Sequence, residues 1–180
     1  MRRIIAVGGR PGTGKTTLIR KFMEGKTWEK VEPKKMLSAL YCKELDLYIL
    51  GKYEDGETFA GTDRLGMNIQ PTAQEFVSET NSNILFEGDR LTNGKFYNHL
   101  ITLPDTDVSF VIIKVKQETM NKRYSDRGSN QSETFLKGRE TKISNIILNL
   151  EFMPYVNTFT NENLEEQTII INYIEQFFKR

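Results

Sequence analysis

The chain has 180 residues, 38% of them hydrophobic, and its 25 basic and 24 acidic side chains leave a formal net charge of +1. That length suits one domain with its own core, and the charge balance excludes a protein held on polynucleotide by global charge alone. One cysteine, Cys42, excludes an internal disulfide and fits a reducing cytoplasm; no signal peptide or membrane-spanning helix is expected, because Arg2 and Arg3 precede only four apolar residues.

Charge is unevenly spread. Residues 1–36 carry a local +7, residues 37–117 carry −5 and residues 118–180 carry −1. A basic start beside a phosphate site is expected of any nucleotide enzyme, and most of its lysines read as a solvated face.

The first element is an apolar, β-branched run at 4–7 that predicts a buried strand. Gly9-Arg10-Pro11-Gly12-Thr13-Gly14-Lys15-Thr16 follows, fitting G-x-x-x-x-G-K-[ST] at every fixed position, and Thr17 adds a second hydroxyl. Leu18, Ile19, Phe22 and Met23 then recur at helical spacing, with Gly25 as a stop. Strand, glycine loop and helix make a phosphate cradle. Backbone N–H groups and the positive end of the helix face the phosphate oxygens. Lys15 reaches the β- and γ-phosphates, and the Thr16 hydroxyl ligates Mg²⁺. The segment implies a nucleoside triphosphate site, with ATP and Mg²⁺ as the expected pair.

Residues 25–35, polar and broken by Pro33, read as a connection. Runs at 37–44 and 45–50 predict two strands. Residues 51–70 form a long Gly-, Asp- and Thr-rich loop, of a length that usually binds something. Pro71 opens a helix to about residue 80. A short strand at 84–86 ends at Glu87-Gly88-Asp89-Arg90, and Asn93 starts a helix to about residue 103. The strand at 108–115 is the longest and reads as central. Helices at 118–125 and 132–150 flank a polar break at 126–131, and Leu136, Ile143, Ile147 and Leu150 share one stripe of the second. A strand at 155–159 precedes a last helix, opened by Asn163 with Glu166 and buried through Ile170, Ile174, Phe177 and Phe178. Alternating strands and helices predict an α/β, three-layer fold with a mostly parallel central sheet, as one domain over 1–180 with a helical lid at about 118–142. Ligands bind beyond the carboxyl ends of such strands, so Thr13, Glu87 and Lys116 are expected to converge.

Several residues carry candidate chemistry. Glu87 and Asp89, at a strand end, can hold Mg²⁺ or accept a proton. In the long loop, Asp63 can act as base and Arg64 can fork onto an acceptor phosphate; an Asx turn with an exposed arginine is the alternative. Arg123, Arg127 and Arg139 in the lid can stabilise the transferring phosphoryl group, while Lys122 and Lys142 stay open. Tyr48, Tyr53 and Phe59 flank the loop and can stack on an acceptor base, although aromatics beside strands are more often core. Asn68 and Gln70 are a weak signal for reading a pyrimidine edge. His99, the only histidine, reads as packing or surface.

Gly61-Thr62-Asp63-Arg64-Leu65, Glu87-Gly88-Asp89-Arg90-Leu91 and Phe135-Leu136-Lys137-Gly138-Arg139-Glu140-Thr141-Lys142, with Asn145-Ile146 following, resemble signature stretches of a family of phage P-loop kinases. That family includes enzymes that phosphorylate 5-hydroxymethyluracil within phage DNA on the way to hypermodified thymine. The resemblance implies a P-loop kinase-like fold, Gly9–Thr16 as the ATP site, and Asp63, Arg64, Glu87, Asp89, Arg90 and Arg139 around the reaction cleft. It departs at Gly66, where a serine is common, which leaves no hydroxyl there.

The expected activity is therefore γ-phosphoryl transfer from ATP to the hydroxymethyl group of 5-hydroxymethyluracil in DNA, with the host cytoplasm as its place. A deoxynucleoside monophosphate kinase acting on free nucleotides is the alternative, and a P-loop switch ATPase is the second.

Overall fold

The computed structural model of the protein describes residues 1–57 and 59–180; Thr58, inside the loop read at 51–70, lies outside the described residues. Strand β1 (Arg2–Gly9) and helix α1 (Lys15–Met23) bracket the glycine loop. Strands β2 (Glu29–Lys34), β3 (Leu37–Cys42) and β4 (Leu47–Leu50) follow, then a single 3₁₀ turn at Thr62–Arg64 and helix α2 (Gln70–Glu79). Strand β5 (Asn83–Glu87), helix α3 (Gly94–Ile101) and strand β6 (Thr106–Lys114) form the middle of the chain. Helices α4 (Gln117–Asp126) and α5 (Glu133–Leu148), strand β7 (Val156–Thr160) and helix α6 (Leu164–Lys179) complete it.

The sheet runs β2-β3-β4-β5-β1-β6-β7. Pairings β4–β5, β5–β1, β1–β6 and β6–β7 are parallel, and β2–β3–β4 is antiparallel. Side chains alternate across the pleat, so the strands feed two cores. Ile4, Ala6, Ile84, Phe86, Phe110 and Ile112 pack against α2, α3 and α5 on one face. Ile5, Val7, Leu85, Val111 and Ile113 pack against α1 and α6 on the other. The predicted three-layer α/β architecture is what the chain adopts.

Three expectations are corrected. Residues 29–34, read as part of a connection, form an edge strand: β2 pairs with β3 along one side only, so a polar sequence and Pro33 are tolerated, with a register shift between Val31 and Lys34. Helix α5 ends at Leu148, so Leu150 is 78% exposed and does not extend the stripe; Ile146 is buried beside Ile143 in its place. Pro71 is the second residue of α2 rather than the first. Cys42 is a buried free thiol. Asn163 caps α6, its Oδ1 accepting from the Glu166 N–H at 2.9 Å. Among the described residues no helix is long and apolar enough to cross a membrane.

Candidate active site

Strands β1 and β5 are parallel neighbours that end at Gly9 and Glu87; from β1 the chain crosses by α1 toward the β2 edge, and from β5 it crosses by α3 the other way, past β1 to β6. A crevice forms where strand order reverses. Here it is a cleft of about 880 Å³ bordered by Gly9, Gly12, Gly14, Lys15, Thr16, Asp63, Glu87, Asp89, Arg127 and Arg139, among others.

Gly14, at φ 88°, lets the loop turn directly into α1; a Cβ there would sit 2.6 Å from the Asn161 amide nitrogen. Lys15 Nζ donates to the carbonyls of Gly9 and Arg10 at 2.8 and 3.0 Å. Burial lowers the Lys15 ammonium, and the Glu87, Asp63 and Asp89 carboxylates oppose that shift. Its charge is thus held inside the loop, where phosphate oxygens would replace the two carbonyls.

Glu87 is the most deeply buried acid of the cleft, 2% exposed. Its Oε1 accepts from the Thr16 hydroxyl at 2.9 Å and the Tyr53 hydroxyl at 3.3 Å. Burial raises its carboxyl to about 7, against the pull of Lys15 and Thr16. Thr16 and Glu87 form a hard-oxygen pair at the end of the phosphate loop, the donor set that suits Mg²⁺ held by one or two protein oxygens plus nucleotide phosphates. Among the described residues no group of three His, Cys, Asp or Glu side chains is placed to hold a metal ion.

Asp63 ties the long loop to the β5 end. Its Oδ1 accepts from the backbone N–H groups of Asp89 and Arg90 at 2.7 and 3.2 Å, leaving Oδ2 with no protein partner among the described residues. Asp89 in turn holds α5: Arg139 lies 2.6 Å and Lys142 3.1 Å from its carboxylate. The stretches 61–65, 87–91 and 135–142, far apart in sequence, therefore meet at one end of the cleft.

Of the other candidates, some border the cleft as read from the sequence and others are placed differently. Arg123 does not border the cleft: its guanidinium donates to the Gly12 and Asn161 carbonyls at 2.9 and 2.8 Å and braces the phosphate loop from behind. Arg127, at the end of α4, does border the cleft. Arg64 is paired with Glu57, and Arg90 donates to the Leu65 carbonyl at 3.3 Å, so both guanidinium groups are engaged by the loop itself. The Tyr53 ring is 8% exposed within the core, so only its hydroxyl reaches Glu87 and no ring face is offered for stacking. Phe59 is 61% exposed and borders the cleft. Tyr48 packs on Tyr41 and Phe76, and Gln70 accepts from Asn93 at 2.8 Å. Within the phosphate loop, Thr13 is buried with its hydroxyl on the Arg10 carbonyl, and Arg10 lies 3.4 Å from Glu140 of α5. Pro11 and Thr17 border the cleft. Lys116 is exposed just before α4 and is not among the residues that border the cleft with Glu87. His99 bonds Ser78 at 3.0 Å at the surface.

Sequence reasoning missed Asn161 and Tyr124. The Asn161 amide donates to the Thr13 carbonyl at 2.8 Å and is 4% exposed, and the Tyr124 hydroxyl donates to the Pro11 carbonyl. A polar residue directly after the last strand was the available signal for Asn161; nothing in the sequence marked Tyr124.

No curated protein sequence matches the chain. Among solved structures, a gluconokinase from Sinorhizobium meliloti 1021 aligns at a TM-score of 0.47 and 12% identity, over 98% of this chain and 98% of that one. Residues 1–162, which include all seven strands and the entire cleft, match the family described as P-loop Nucleotide Kinase3, and the chain belongs to that family of kinases.

Proposed function

We propose that the chain transfers the γ-phosphoryl group of ATP to the hydroxymethyl group of 5-hydroxymethyluracil in DNA, a step toward hypermodified thymine. The observation that carries this reading is the convergence of the three kinase-like stretches on one end of the cleft through Asp63, Asp89 and Arg139. Those stretches resemble signature stretches of a phage P-loop kinase family that includes enzymes acting on this base.

The hydroxymethyl oxygen attacks the γ-phosphorus, a new P–O bond forms, the bond to the β,γ-bridging oxygen breaks, and ADP leaves. Asp63, fixed through Oδ1 and open at Oδ2, takes the hydroxyl proton. Lys15 and Arg127 face the phosphates, and Arg139, held beside Asp89, lies within the cleft to meet charge developing on the transferring group. Thr16 and Glu87 would hold Mg²⁺, which supplies charge neutralisation on the phosphates. The cleft is recessed, so the target base has to leave its stack or arrive single-stranded.

The test is incubation with labelled ATP and hydroxymethyluracil DNA, then nuclease digestion and mass spectrometry. A phosphomethyl-deoxyuridine peak, absent with thymine DNA, supports the reading. Phosphorylation of free deoxynucleoside monophosphates with none on DNA replaces it with the monophosphate-kinase alternative.

A further inference from the structure

Two exposed aromatic rings border the cleft without belonging to either hydrophobic core. Phe59 lies in the loop after β4, and Phe135 lies in the first turn of α5 at 38% exposure. Single exposed aromatics are ordinary, but two that border one cleft from separate elements make an unfilled apolar surface inside a polar site. The neighbouring polar groups do not cover them: Asp63 is turned to the backbone N–H groups of Asp89 and Arg90, and Asp89 is paired with Arg139.

Phe135 is also held in place. The Arg139 guanidinium carbon lies 4.5 Å from its ring centroid, and the same guanidinium pairs with Asp89. A cation on one face of the ring leaves the other face for a flat partner. Asp63, Asp89, Arg127 and Arg139 border the same space, so charge of either sign is already supplied there and the ring faces call for a flat, apolar partner. A neutral heterocycle satisfies these conditions.

We propose that Phe59 and Phe135 form an aromatic clamp that takes the pyrimidine ring of the acceptor between them. This rests on the phosphoryl-transfer reading above and assigns the residues that position the acceptor ring. Stacking recognises the face of the ring and carries no demand for a polymer, so a base extruded from DNA and the base of a free nucleotide are both accommodated. Because Arg139 touches Phe135, a ring seated in the clamp also fixes the guanidinium that faces the phosphoryl group.

The experiment compares Phe59→Ala, Phe135→Ala and Phe135→Trp in steady-state assays with two acceptors, a single-stranded hydroxymethyluracil oligonucleotide and 5-hydroxymethyl-deoxyuridine monophosphate. Calorimetric binding of both acceptors accompanies them and needs no turnover. Each alanine variant is expected to raise acceptor KM or Kd by roughly tenfold or more, with KM for ATP unchanged and Phe135→Trp near wild type. Both rings are exposed, so their truncation leaves the fold intact. Unchanged acceptor affinity in both alanine variants overturns the clamp. A rise in KM for ATP alone also overturns it, since the rings would then serve the donor. An inert oligonucleotide removes the DNA reading by itself, while the monophosphate comparison still decides the clamp.

Discussion

The Asp89 carboxylate lies 2.6 Å from the Arg139 guanidinium, joining the end of β5 to helix α5 across the mouth of the cleft. Both side chains are about one-third exposed, so the pair contributes under about 1 kcal/mol and can exchange partners when phosphate arrives. Arg139→Ala is therefore expected to leave the melting temperature nearly unchanged and to lower kcat by roughly a hundredfold or more. Steady-state kinetics with calorimetry checks it; a kcat within a few fold of wild type would remove Arg139 from the reaction.

Lys15→Ala removes the one buried ammonium of the phosphate loop. Losing a preorganised cation on the transferring group costs on the order of 3 kcal/mol in the transition state, or a rate loss of two to three orders of magnitude. The variant should keep its circular-dichroism spectrum, and normal turnover in it would contradict the phosphate-loop assignment.

Arg123 and Arg127 sit four residues apart but should separate in kinetics. Arg123 supports loop carbonyls, so Arg123→Ala is expected to raise KM for ATP by roughly tenfold, the worth of one charged hydrogen bond. Arg127 borders the cleft, so Arg127→Ala should act mainly on kcat. Equal effects of the two substitutions on both parameters would refute this division.

Gly61, at φ 72°, brings the long loop against Glu87: a Cβ there would lie 2.6 Å from Glu87 Oε1. Gly61→Ala therefore strains the backbone and displaces the carboxylate, costing roughly 2 kcal/mol or more and lowering the melting temperature by about 5 °C. Gly66, with open space around it, is the control and should tolerate alanine. Equal melting temperatures for the two variants would show that this approach is not tight.

Glu87 predicts a pH dependence in metal-free protein. Its carboxyl titrates near 4.5 when unfolded and about 7 when folded, raised by burial. Between those values only the folded chain keeps the proton, so this contribution is full below pH 4.5, falls as pH rises toward 7, and is lost above it. The change is on the order of 3 kcal/mol. Glu87→Gln should lack it, and denaturant titrations in chelator from pH 5 to 8 measure the difference. Parallel profiles for the two proteins would rule it out.

Local pattern determined most elements and the donor site. The strand at 4–7, the glycine loop and the stripe of Leu18, Ile19 and Phe22 are contiguous, so spacing alone specified the phosphate cradle. Strand β2 escaped because an edge strand buries little, and its polar run EKVEPK becomes a strand only when β3 supplies the hydrogen bonds. The roles of the arginines were also decided by tertiary structure. Arg123, Arg127 and Arg139 look alike in sequence, and only the packing of α4 behind the loop and α5 over Asp89 sends one to carbonyls and two to the cleft. Tyr53 reads as a stacking ring beside a loop, yet it joins the core formed with α1 and β5, because burial depends on neighbours distant in sequence. Propensity and spacing act over a few residues, whereas the contacts among Asp63, Asp89 and Arg139 span the chain and exist only once both faces of the sheet are covered.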